Sequence, residues 1–532
     1  MPFQTHHLSY PDTHSFSQLV YHYLDHAEAL KPFYRFQPGN AGVKEAMEQR
    51  KFSSENRAAL IAELNRHYNN LREVHPAVKK NLELLAKNNC FTVCTAHQPN
   101  IFTGHLYFVY KILHAIKLAV ELKGKFPDKE FVPVYFMGSE DADLDELGEV
   151  HIEGEKRKWQ TDQAGAVGRM KVDKTLLAMI EQIAGSIEVH PHGKEVTSLL
   201  RRNYVLGVSV EQATFTLVNE LFGKYGLIIL LPDTAGIKQL FLPVMERELK
   251  EQFSAKAVEE TLRNYPEPFR LESFGREINL FYLDENGRNR IEKHGDDFWV
   301  VNTGKQFRLS EILEDIRLHP ERFSPNVILR PVLQEAILPN VAFIGGGGEL
   351  AYWLRLKNVF EDAGIDFPVL ILRNSYLLIN KKYGALYHKL GLNIPTLFKE
   401  EKLIADDWVK RNADVRLTFE KEKDELFQLY SQLQQQAGLV DVTLAGYGET
   451  IKILALKKIA SLEKKMLRAE KRKHDAALRQ IHTLKTGLFP GGLQERVENI
   501  MPWLAVYGFD LLQDIFTAGP SIEPAFTILE EQ

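Results

Sequence analysis

The sequence predicts an α/β protein: a core of βαβ units on a parallel sheet, with segments inserted into its connections, followed by a helical arm with a coiled-coil-like stripe. Three observations predict it. Apolar stretches of strand length alternate with segments of helical spacing through the first 380 residues, the pattern of βαβ units. Beyond that point the strand signal fades and apolar residues recur at three- and four-residue steps over long stretches. Finally, 532 residues exceed one ordinary core at roughly 150 residues per domain. The expected organisation is an interrupted core over 1–380 with insertions near 151–205 and 250–325, a helical arm over 381–490, and a tail over 491–532 that packs back on the core.

The elements follow in order. Residues 13–90 carry helical spacing, with Leu60, Leu64, Tyr68 and Leu71 at three- and four-residue steps. Phe91 to Thr95 reads as a buried strand, and His97 to His105 as a loop opening a long helix whose apolar face includes Leu106, Val109, Tyr110, Leu113, Ile116 and Val120. A second strand, Phe131 to Met137, ends in Gly138-Ser139-Glu140-Asp141. After the short polar elements of the first insertion, Tyr225 to Leu231 is a further core strand ending at Pro232-Asp233. The second insertion carries polar strands around Ile278 to Leu283 and Phe298 to Val301. The core resumes with Val327 to Leu333, Val341 to Ile344, a four-glycine turn from Gly345 to Gly348, a helix from Glu349 towards Ala363, and a strand from Val369 to Leu372. Residues 413–438 and 449–486 read as two helices joined by a turn near Gly438 and Gly446-Tyr447-Gly448.

Composition narrows the function classes. With 44% hydrophobic and 26% charged residues, the chain has the balance of a globular protein rather than a disordered one. A formal net charge of −5 argues against whole-chain affinity for nucleic acid or anionic membranes. Within 451–486, however, eleven Lys or Arg stand against three Asp or Glu, a local +8. The amino-terminal stretch lacks the basic start and apolar run of a signal peptide, and no apolar stretch approaches the roughly twenty residues of a membrane-spanning helix. Two cysteines, Cys90 and Cys94, are too few for a disulfide framework or a four-thiolate zinc site. Cys94 reads as a buried small hydrophobe. The expected location is the cytoplasm.

In a doubly wound sheet, ligands bind beyond the carboxyl ends of the strands near a switch in strand order, which selects three loops. The first holds His97, Gln98, Asn100, Thr103, Gly104 and His105, with Tyr107 and Lys111 on the helix it opens. Free amides at that helix start favour phosphate or carboxylate, although His105 as a plain helix cap and Lys111 as a solvated lysine are the bland alternatives. The second holds Glu140, Asp141, Asp143, Asp145 and Glu146, acids that need Mg²⁺, an ammonium, sugar hydroxyls or solvent to offset their repulsion. The third is Gly345 to Glu349, where glycine allows positive φ and close approach of backbone to ligand. It is not a phosphate-binding Walker loop, because no Lys-Ser/Thr follows. Of Tyr352 and Trp353, one is expected to pack inward and the other to face a ligand. Arg330 and Arg373 are anion clamps or members of structural ion pairs.

These stretches together resemble the BshC family, the bacillithiol biosynthesis enzymes thought to add cysteine. The resemblance rests on TAHQPNIFTGHLYFVYK (Thr95 to Lys111), VYFMGSEDAD (Val134 to Asp143), YGLIILLPD (Tyr225 to Asp233), the stretch from Ser324 to Arg373, and LFP followed by LQERVEN near the carboxyl end. It implies a Rossmann-like core with inserted connecting segments, a coiled-coil domain, a homodimer held through those helices, and a ligase joining cysteine to glucosaminyl malate through an amide. ATP is the expected activator of the carboxylate, with Mg²⁺ a possible companion and the metal itself unknown.

On that resemblance His97, His105, Asp141 and Asp143 are the catalytic candidates, and Asn100, Thr103, Gly104 and Lys111 the cofactor-binding ones. Gln98, Tyr107, Glu140, Arg330, Gly346, Gly347, Glu349, Tyr352 and Arg373 are the substrate-binding candidates. The sequence departs from the commoner family pattern at His97-Gln98-Pro99-Asn100, at His105 where proline is usual, and at Gly347 in a Gly-Pro-Gly slot. The alternatives are a nucleotidyl or glycosyl transferase using the same loops, and a scaffold binding an acidic partner such as RNA through its basic helix.

Overall fold

Five parallel strands carry the core: β1 (Cys90–His97), β2 (Glu130–Met137), β3 (Ile228–Leu230), β4 (Asn340–Gly345) and β5 (Val369–Leu372). Their spatial order is β5-β4-β1-β2-β3, and every neighbouring pair is parallel. The computed structural model describes residues 3–71, 73–270, 275–285 and 287–532. Met1 and Pro2 of the amino-terminal stretch, and residues 271–274 and 286 of the second insertion, lie outside them. The strands are apolar almost end to end because both sheet faces are covered: β1 is buried at every position before His97, and β2 at every position after Glu130.

The order of strands creates the site. From β1 the chain steps outward through β2 to β3, then returns to the other side of β1 for β4 and β5. The connections therefore leave β1 and β4 in opposite directions and open a crevice at their carboxyl ends. Helix α1 (Leu106–Lys125) makes the β1-to-β2 crossover and buries thirteen side chains. Its covered face over the last turns is Ala115, Leu118, Ala119 and Leu122, packed with Phe36, Val43 and Phe91. Val120, assigned above to the apolar face, points away and is 59% exposed.

Other local readings are corrected by the structure. The segment from Val327 to Leu333 enters a helix, Leu329–Ile337. The single helix expected from Glu349 is two: α2 (Gly347–Trp353) and a second from Lys357 to Ala363. Trp353, fully buried against Phe343 and Phe360 at centroid distances of 4.2 and 5.6 Å, fixes α2 before the break. The second inserted segment contributes an antiparallel sheet of its own, ordered Lys305–Arg308, Asp297–Val300, Arg288–His294, Leu280–Leu283 and Phe323–Pro325.

The chain divides into two compact units, one comprising residues 1–11, 15–378 and 492–529 and the other residues 12–14, 379–491 and 530–532. The second unit is helical, and its longest elements are Glu420–Val440 and Val442–Lys473. Its turn lies at Asp441, whose carboxylate accepts from the Thr443 amide at 2.8 Å and hydroxyl at 2.7 Å. The glycines taken as the turn, Gly438, Gly446 and Gly448, all lie inside helices. An Asp-x-Thr cap stops and restarts a helix more firmly than glycine, which merely weakens one. Lys423 pairs with Glu463 at 2.8 Å across the hairpin.

Candidate active site

A cavity of about 1100 Å³ occupies the crevice at the switch point, and all of its walls belong to the first compact unit. The three loops singled out in the sequence meet there. His97, Gln98, Tyr107 and Lys111 come from the end of β1 and from α1, Glu140 and Asp141 from the loop after β2, and Gly346, Gly347, Glu349 and Tyr352 from the loop after β4 and from α2. Arg330 and Arg373 complete this set.

Lys111 is buried. Its ammonium pairs with Glu349 and donates to the Ala96 carbonyl at 2.9 Å, while burial pushes its pKa below the ordinary lysine value. It is thus a fixed part of the wall rather than a solvated lysine. Glu349 also accepts from the Gly346 amide at 2.8 Å, closing the start of α2. None of Gly345 to Gly348 has positive φ, so the expectation of a left-handed glycine loop is corrected. What glycine supplies is space: a Cβ on Gly347 would stand 2.9 Å from Val20 Cγ2, and one on Gly345 2.8 Å from Phe343.

His97 lies at the mouth of β1 with Tyr107 and Phe108 each 5.4 Å away, centroid to centroid. Its Nε2 is buried with no hydrogen-bond partner among the described residues. Burial, aided by the Lys111 charge, holds its pKa well below the ordinary histidine value, so the imidazole is neutral. Asp141 accepts from Gln98 Nε2 at 3.0 Å and lies 3.7 Å from Arg288. Glu140 is buried and paired with Lys238, and burial raises its carboxyl. Arg330 donates to the Tyr352 hydroxyl at 2.5 Å. Arg373 is held in a bidentate pair with Glu495 at 2.7 and 3.0 Å, its guanidinium 5.3 Å from the Tyr107 ring centre. Of the two roles open to Arg373, it therefore has the structural one, while its edge still lines the cavity.

The remaining sequence candidates stand apart from this wall. Asn100, Thr103, Gly104, His105 and Asp143 do not line the cavity. The start of α1, expected to bind phosphate, is already occupied by protein. The Leu106 amide donates to the Glu498 carbonyl at 2.8 Å, His105 Nδ1 lies 3.1 Å from the Val497 carbonyl, and Asn499 donates to the carbonyls of Phe102 and Gly104 at 2.8 and 2.5 Å. Asp143 caps the short helix Leu144–Leu147 through the Glu146 amide at 3.2 Å. Asn100 packs against Gly104, whose φ of +61° and 2.7 Å clearance admit no side chain. Both cysteines are buried in β1, where burial pushes the Cys90 thiol up to about 12 and Cys94 well upward, so neither is a thiolate nucleophile.

The chain matches two family models end to end: the N-terminal Rossmann-like domain of bacillithiol biosynthesis BshC over residues 3–374, and its C-terminal coiled-coil domain over 376–531. It belongs to the BshC family. Relatives bearing the name "Putative cysteine ligase BshC" include those of Flavobacterium psychrophilum, 36% identical over 98% of this chain and 99% of the relative, and Flavobacterium johnsoniae, 35% identical over 98% and 99%. The relative of Christiangramia forsetii is 36% identical over 98% of both chains.

This BshC-family chain also brings to the cavity residues that no motif announced. Arg288 reaches in from the inserted sheet, anchored by Ser324 Oγ and the Pro325 carbonyl, each at 3.1 Å, and stacked 4.1 Å over Phe281. Arg276, Arg496 and Ser17 also line the wall. They come from an insertion, the carboxyl-terminal segment and the start of the amino-terminal helix Gln18–Leu24, and of the three only Arg496 lies in a stretch that carries the family resemblance, LQERVEN. Among the described residues no group of three His, Cys, Asp or Glu could hold a metal ion, and no helix is long and apolar enough to cross a membrane.

Proposed function

We propose that the chain is a cysteine ligase of bacillithiol biosynthesis that joins the carboxyl of cysteine to the amine of glucosaminyl malate. The observation that carries this reading is the cavity at the switch point, where carboxylates, guanidiniums and a neutral imidazole with an unsatisfied nitrogen share one wall. A ligand group completing the hydrogen bonding of His97 would remove the cost of an orphaned buried nitrogen.

Forming the amide requires the carboxylate to acquire a phosphate-bearing leaving group, the amine to attack the acyl carbon and lose a proton, and the acyl C–O bond to break so that the phosphate-bearing group departs with its electron pair. ATP would supply the leaving group. Arg288 and Arg330 offer cationic groups for its phosphates, in place of the occupied start of α1. Glu140 and Asp141 take the ammonium of cysteine, and neutral His97 takes the proton of the attacking amine. Glu349 and Lys111 fix the glycine loop against which the acceptor lies.

Incubating the purified protein with cysteine, ATP, Mg²⁺ and glucosaminyl malate should yield a cysteinyl amide by mass spectrometry, and His97→Gln should abolish it. No product with any nucleotide, alongside tight salt-sensitive RNA binding, would reject the ligase in favour of a scaffold. The scarcity of cysteine supports a cytoplasmic location. Leu429, Leu433, Leu439 and Val442, 50–88% exposed along the helical hairpin, support a homodimer through the arm. Deleting 413–486 should then give a monomer by light scattering, and an unchanged mass would reject that arrangement.

A further inference from the structure

Lys238 lies outside every motif discussed above and does not line the cavity, yet it is bound to a group that does. It sits on the short helix Ala235–Gln239 that follows β3, with its side chain 1% exposed. Its ammonium donates to Asp233 Oδ1 at 3.1 Å and to the Glu321 carbonyl at 3.2 Å, and forms an ion pair with Glu140 at Oε1. Asp233 is gripped in turn by Arg169, at 2.6 and 2.7 Å, and Arg169 donates to the same Glu321 carbonyl at 3.0 Å. Arg169 belongs to the first inserted segment and Glu321 closes the second.

Two buried carboxylates and two cations thus form a neutral set at the ends of β2 and β3. Burying charges in this way is a poor route to stability, because well-packed apolar groups do as well. What the arrangement achieves is orientation. Lys238 meets Glu140 at Oε1 as an ion pair, without a hydrogen bond to that oxygen, and no hydrogen bond holds Oε2 among the described residues, while the residue itself forms part of the cavity wall.

We propose that Lys238 is a positioning residue for substrate recognition: it fixes Glu140 through one carboxylate oxygen so that the other meets the ammonium of cysteine. The proposal rests on the ligase reading and deepens it. Glu140 is the contact and Lys238 its rigid support. Arg169 and Asp233 make that support continuous with both inserted segments.

The test is steady-state kinetics of the full chain with cysteine varied. Lys238→Met should raise KM for cysteine about tenfold, the value of one charge-assisted hydrogen bond, while KM for the acceptor stays put. Lys238→Arg, which retains a buried cation, should restore most of the loss. Asp233→Asn with Lys238→Met removes the lysine together with a charge it neutralises, and should show the same cysteine defect in a folded protein. An unchanged cysteine KM in either folded methionine variant overturns the proposal. So does a failure of both to fold when Lys238→Arg matches wild type in melting and KM, since the lysine is then structural alone. Wild-type protein that forms no amide ends the ligase reading and this inference with it, whereas a wild-type ligase with indifferent Lys238 variants ends only the inference.

Discussion

Lys111 and Glu349 form an ion pair across the switch point of the sheet, one residue rising from the helix after β1 and the other from the loop after β4. The two strands are hydrogen-bonded neighbours, but their following loops diverge. The pair therefore ties together the two sides of the crevice where the sheet itself cannot.

Breaking that tie should be costly because the lysine is buried. Lys111→Met removes the buried cation that Glu349 is paired with and should destabilise the first unit by about 2 kcal/mol in urea titrations. Lys111→Met with Glu349→Met should lose less than the sum of the single changes by at least about 1 kcal/mol. Additive losses would mean the two charges do not depend on each other.

Arg373 and Glu495 make the stricter case. Glu495 is fully buried and also accepts from the Tyr376 amide at 3.2 Å, so Glu495→Ala strands a buried guanidinium and should cost about 3–5 kcal/mol. Wild-type denaturation midpoints in that variant would show that the carboxyl-terminal segment is not held by this pair.

Glycine substitutions separate space from function. Gly348→Ala has open space at Cβ and should leave stability near wild type. Gly346→Ala adds a methyl 3.5 Å from Arg373 Nε on the cavity wall, and should cut amide formation with little change in melting. Gly104→Ala, with φ +61° and a 2.7 Å clash, should destabilise by more than about 1 kcal/mol. Equal melting of all three variants would contradict the geometry.

Buried histidines give the stability a pH slope. Burial lowers His67 from 6.5 to about 4, and both of its ring nitrogens lack partners. His97 is likewise held well below the ordinary histidine value by burial. Below 6.5 these histidines take up protons in the unfolded chain that they refuse in the folded one, so each makes stability fall as pH falls through that window and contributes nothing above it. The loss is up to about 1.4 kcal/mol per pH unit for each such histidine. Glu211 and Glu498, raised by burial to about 7, work in the opposite sense, so the test is by difference: between about pH 6.5 and pH 4 the urea midpoint of His67→Phe should fall less than that of wild type. An unchanged slope in that variant would exclude His67 as a source.

Local pattern carried far in some places and failed in others for identifiable reasons. The parallel strands were legible because burial on both faces demands continuous apolar runs, as in Val132 to Met137. Val120 was misread because helical spacing is silent on where the covering neighbours end. The arm's turn lies at Asp441 rather than at the glycines because the Asp441–Thr443 cap is a matter of side-chain geometry, which glycine content does not report. At the site, the loops after β1, β2 and β4 were recognisable from polar residues at strand ends. That His105 faces the carboxyl-terminal segment could not be read, since Val497 lies 392 positions from it, whereas the cap that Asp143 makes with Glu146 is local to its own loop.

The sequence by itself determined the strands, the helical arm, the family and the three loops, because each depends on neighbours in the chain or on matched motifs. The tertiary structure alone decided which members of those loops share a cavity. It turned Lys111 and Arg373 into parts of ion pairs, closed the start of α1 with residues 497–499, and brought Arg288 and Lys238 to the site. Those outcomes depend on strand order and on contacts between distant segments, and the burial they create sets which charges are paired, which imidazole is neutral and which oxygen is left for a ligand.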